Sequence, residues 1–168
     1  MKLRANEGLT YGASSYFEPS RFAGLFEAST FTRTEKTADA ILMLVDLLKE
    51  YRENPATEQE FDEARAYLAG SFAIATETAS AVAARVLAAE VHGLGADYWP
   101  RYRERLESIT RAEVEAAVRR FLQPEKLAIT AVGNAAAFAK DLEAFGPVRV
   151  IPAAELDLTA PDLVKAKR

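Results

Sequence analysis

His92 is the single histidine of this chain, and there is no cysteine. Without cysteine there is no disulfide, no thiolate nucleophile and no sulfur-rich zinc site. A zinc peptidase helix brings two histidines and a carboxylate onto one metal, and His92 alone cannot supply them. A Ser-His-Asp triad would have to run through His92. No Gly-x-Ser-x-Gly elbow is present, however, and Ser71, which follows Gly70, falls in a helical pattern. His92 therefore reads as a loop or helix-end histidine. The densest group of carboxylates is Glu58, Glu60, Asp62 and Glu63. It stands at a helix start, where acidic side chains complement the helix dipole and cap backbone N–H groups. The chain by itself is thus expected to hold no metal and no cofactor.

Charge and hydropathy exclude further classes. The net charge is −4, with acidic and basic residues interspersed and no basic tract, which argues against nucleic acid as a partner. No apolar run approaches the roughly 20 residues that span a bilayer, so no membrane is expected. Lys2, Arg4 and Glu7 interrupt any signal-peptide core at the first residues. The expectation is a soluble protein, cytoplasmic or periplasmic. A length of 168 residues suits one domain that buries an adequate core without staples.

The elements that would position functional groups follow from the periodicity. Leu9 to Phe17 and Phe22 to Phe31 alternate and are separated by Glu18-Pro19-Ser20, which predicts an antiparallel hairpin. Ile41, Leu42, Val45 and Leu48 recur at helical spacing within Thr34 to Glu53, and Asn54-Pro55 ends that helix. Thr57-Glu58-Gln59-Glu60 has the form of a capping box and opens a helix with Phe61, Ala64, Leu68, Phe72 and Ala75 on one face. Its weak point is Thr76-Glu77-Thr78. An Ala-rich stretch then runs to Val91, suited to close helix packing. Gly93 and Gly95 form a loop, with Tyr98, Trp99 and Tyr102 packing beneath it. Pro100 suits the first turn of the following helix. Thr110-Arg111-Ala112-Glu113 is a second capping box, and its helix stops near Pro124. Lys126 to Val132 and Val148 to Ile151 read as strands, with a short helix between them ending at Gly146-Pro147. Strands and helices segregate along the chain. That predicts an α+β fold, an antiparallel-rich sheet with several helices on one face, over residues 1–152, followed by an irregular tail at 153–168.

The segment Leu3-Arg4-Ala5-Asn6-Glu7-Gly8-Leu9-Thr10-Tyr11 resembles the Leu-Arg-x-x-x-Gly-Leu-x-Tyr element of the insulinase/pitrilysin-type zinc peptidases, the family that includes mitochondrial processing peptidase. That element lies in their second, non-metal, C-terminal domain. Thr57 to Arg65 resembles the start of a following helix in the same domain. Tyr98 to Gly133 resembles its end, through Ile109-Thr110-Arg111-Ala112-Glu113-Val114 and the stretch into Val132-Gly133-Asn134. The order is consistent over about residues 3 to 135. There is no His-x-x-Glu-His in the chain, as the second half of such a peptidase implies.

The resemblance implies a metallopeptidase half-domain that closes a chamber around an extended peptide substrate. Tyr11 would donate a hydrogen bond to the tetrahedral intermediate or the substrate carbonyl, and Arg4 would hold the substrate backbone. Zinc would belong to the catalytic half of the parent enzyme, a metal-bearing N-terminal half or partner subunit, and the chain alone would be inactive. The resemblance also implies a strand-helix-strand block before Arg4, so that this chain reads as N-terminally truncated. Strand edges and apolar surface left uncovered would favour pairing with a partner subunit or as a homodimer. The competing reading is a metal-free scaffold that only binds another protein chain. Arg4 and Tyr11 favour the peptidase half, since a scaffold needs neither.

Overall fold

The computed structural model of the chain describes residues 10–165, with side chains described from Gly12 onward. The class is α+β. Among the described residues there are β1 (Thr10–Glu18), β2 (Leu25–Thr32), α1 (Thr37–Glu53), α2 (Glu58–Ile74), α3 (Ala79–His92), α4 (Tyr102–Ser108), α5 (Arg111–Phe121) and the single turn α6 (Ala139–Leu142).

β1 and β2 pair as the expected hairpin. Ser14 Oγ and Ser29 Oγ lie 3.1 Å apart across it, and the rings of Phe17 and Phe26 meet at 4.9 Å. β2 begins at Leu25 rather than Phe22. The register explains it: with Ser14 beside Ser29 and Phe17 beside Phe26, Glu18 and Leu25 close the ladder, and residues 19–24, Phe22 among them, form the connection.

The helix boundaries follow the local chemistry. Thr57 caps α2 and Thr110 caps α5, each in a reciprocal box: the threonine accepts from the N3 backbone, and Glu60 or Glu113 accepts from the cap N–H. The chain breaks at 75–78, and Thr78 caps α3 by accepting from Ala81 N. The axes of α2 and α3 meet at 119°. Gly93 ends α3 in the left-handed region, φ 64°. Pro100 falls before the next helix rather than in its first turn, because α4 starts at Tyr102 with Arg101 as its cap.

Lys126 to Val132 and Val148 to Ile151 are not strands. Pro124–Lys126 forms a 3₁₀ turn, and the remaining residues carry no ladder among the described residues. A β-branched run becomes a strand only when a neighbour takes its N–H and C=O groups, and Val132 stands 97% exposed.

Two compact units are distinguished. One holds Ser14–Ser29 and Leu44–Leu127. Its buried apolar residues are Val45, Ala89, Leu106 and Leu122, and α2 packs on α4. The other holds Thr30–Met43, the described residues up to Ala13 and those from Ala128 onward. Its buried residues are Ala40, Phe138 and Leu142. In that unit Lys165 Nζ donates to the Ala154 carbonyl at 2.6 Å, and Leu156 bridges to Val164. No single helix among the described residues is long and apolar enough to cross a membrane.

Candidate functional site

Tyr11 is the second residue of β1, and its side chain lies outside the described residues. Arg4 lies outside them as well. The backbone that carries Tyr11 is held by the hairpin: Thr30 Oγ1 donates to the Gly12 carbonyl, next in the chain, at 3.1 Å. Further along the same hairpin, Tyr16 bonds Glu27. That bond, then desolvation, then the Glu27 and Glu18 charges push its phenol above the ordinary value of 10.0. The Tyr16 hydroxyl therefore stays protonated and serves as a cross-strand donor.

His92 is the last residue of α3, half-buried, just before Gly93. The acidic group at the start of α2 is distributed among separate partners. Glu60 closes the capping box, Glu58 pairs with Arg111 at 3.3 Å, Asp62 accepts from Arg65 at 2.7 Å, and Glu63 accepts from Gln59 at 2.9 Å. Among the described residues no three His, Asp or Glu side chains converge as a metal site would require.

Phe72, on the expected face of α2, and the aromatic trio Tyr98, Trp99 and Tyr102 gather around a residue that periodicity did not single out. Arg85 of α3 lies over the rings of Phe72 and Trp99, at 5.3 and 5.0 Å from their centroids. It donates from Nη2 to the Ala75 carbonyl at 3.3 Å. Trp99 Nε1 donates back to the Arg85 carbonyl at 2.6 Å. Tyr102 meets Phe72 at 4.7 Å and Trp99 at 5.3 Å, and Tyr98 stands edge-on to Trp99 at 4.9 Å. The aromatic trio after the Gly93–Gly95 loop thus has its partners on α2 and α3. The signal in the sequence was a lone arginine inside an alanine-rich helix.

A second arginine joins the starts of two helices. Arg111 Nη1 donates to the Ala56 carbonyl at 3.2 Å, and the same guanidinium reaches Glu58 and Glu115. Both clusters do structural chemistry. They hold helix ends and corners, and neither presents a nucleophile or a paired acid and base.

The Peptidase M16 inactive domain family model matches residues 1–68, which takes in both the Leu3–Tyr11 element and the capped start of α2. A crystal structure of a peptidase M16 inactive domain from Pseudomonas fluorescens superposes with a TM-score of 0.66 at 28% sequence identity, over 73% of this chain. The matched part is 29% of that solved chain. No curated protein matches. Sequence pattern, family model and superposed structure agree: the chain is similar to the inactive, non-metal C-terminal domain of the insulinase/pitrilysin-type M16 peptidases.

Proposed function

We propose that this chain is the non-catalytic half of a zinc-dependent peptidase and is inactive alone. It closes a chamber over an extended peptide. Tyr11 donates to the substrate carbonyl or the tetrahedral oxyanion, and Arg4 holds the substrate backbone. Residues 1–152 belong to one domain of the parent enzyme, and the zinc is held by its His-x-x-Glu-His half, in the same chain or in a partner subunit.

The observation that supports this reading is the family match over residues 1–68, which contains both Arg4 and Tyr11. The chemistry is consistent with it. At neutral pH a phenol and a guanidinium both keep their protons and can donate hydrogen bonds. A donor aimed at a developing oxyanion stabilises the transition state more than the ground state. Placing such donors opposite the metal divides the work: one half generates the nucleophile, and the other positions the peptide and receives the charge.

The test is reconstitution. The isolated chain, supplied with zinc, is expected to leave an extended fluorogenic peptide uncut. Mixed with a zinc-loaded half that carries His-x-x-Glu-His, it should form a complex that cuts the peptide, and a chelator should abolish the cutting. Hydrolysis by the isolated chain, or a complex that forms and stays inactive, would overturn the proposal. The second outcome would make the chain a scaffold.

A further inference from the structure

We draw no further inference here: the strongest candidate, the exposed apolar surface of α3 around Val82, Val86, Leu87 and Val91, carries nothing because nothing in the structure shows what covers it.

Discussion

Trp99 donates its indole N–H to the Arg85 carbonyl at 2.6 Å, while the Arg85 guanidinium lies over the Trp99 ring. One residue therefore binds both ends of the other. With Arg85 also reaching Phe72 and the Ala75 carbonyl, the pair fixes the corner between α2 and α3. Trp99→Phe keeps an aromatic ring and removes the donor, and is expected to cost about 1 kcal/mol, read by urea denaturation followed by circular dichroism. Arg85→Ala removes the cation–π contacts and the bond to Ala75, and is expected to cost about 2 kcal/mol. Trp99 is the only tryptophan, so Arg85→Ala should also shift its emission to the red as the ring gains water. An unchanged spectrum and midpoint would mean that the corner is held by other contacts.

Two glycines are expected to respond to alanine with opposite sign. At Gly93 and at Gly70 an added Cβ meets nothing within 4 Å, so neither substitution clashes. Gly93 has φ +64°, and Gly93→Ala is expected to destabilise by about 1 kcal/mol, since an L-residue resists the left-handed region. Gly70 lies inside α2, and Gly70→Ala is expected to stabilise by about 0.5–1 kcal/mol by restricting the unfolded chain. Thermal melts of the two variants beside the parent decide this. Shifts of the same sign would show that the backbone argument fails at one position.

Glu113 links the start of α5 to pH. The Thr110 backbone N–H, at 2.8 Å, and then the Thr110 hydroxyl hold its carboxyl below the ordinary value of 4.5, against a smaller opposing effect of desolvation. A carboxylate depressed in the folded state stabilises above its unfolded pKa, and the benefit drains away as the pH falls through the folded value. Glu113→Gln keeps an acceptor for Thr110 but cannot titrate. The variant should be less stable than the parent at neutral pH, and the gap should close in acid, as read by urea midpoints on both sides of the ordinary carboxylate range. A gap that stays constant with pH would assign the effect to packing.

The helix-capping chemistry was legible in the sequence because it is local. Thr57 with Glu60 and Thr110 with Glu113 each satisfy orphan N–H groups within one turn, and at the break Thr76 donates to the Phe72 and Ala73 carbonyls of the turn before it while Thr78 accepts from Ala81 N in the turn after it. The extra strands read at Lys126–Val132 and Val148–Ile151 failed for the complementary reason. Their apolar, β-branched composition is a local property, but a strand exists only through its neighbour. The Arg85 cluster was hidden because its members lie far apart in sequence. Phe72, Arg85 and Trp99 meet only once the corner at 75–78 has turned. The family signature was legible since it needs only residue types at fixed spacing, whereas the geometry of Arg4 and of the Tyr11 side chain falls outside the described residues.

The last prediction tests Tyr11 in the reconstituted pair. If its phenol donates to the oxyanion, the interaction is made chiefly in the transition state, and its loss should appear in kcat more than in KM. Removal of one such donor lowers turnover by about 10²–10³. Tyr11→Phe preserves ring, volume and strand propensity at the second position of β1 and deletes only the hydroxyl. The expected result is a large drop in kcat with little change in KM and in the affinity of the chain for the metal-bearing half. Arg4→Ala should show the other pattern, with KM rising for extended peptides more than kcat falls, because a backbone-holding contact is made in the ground state as well. Fluorogenic peptide kinetics on both variants, with complex formation followed by light scattering, separate these outcomes. If Tyr11→Phe retains full turnover in an intact complex, Tyr11 is a packing residue of the hairpin and the oxyanion donor lies elsewhere.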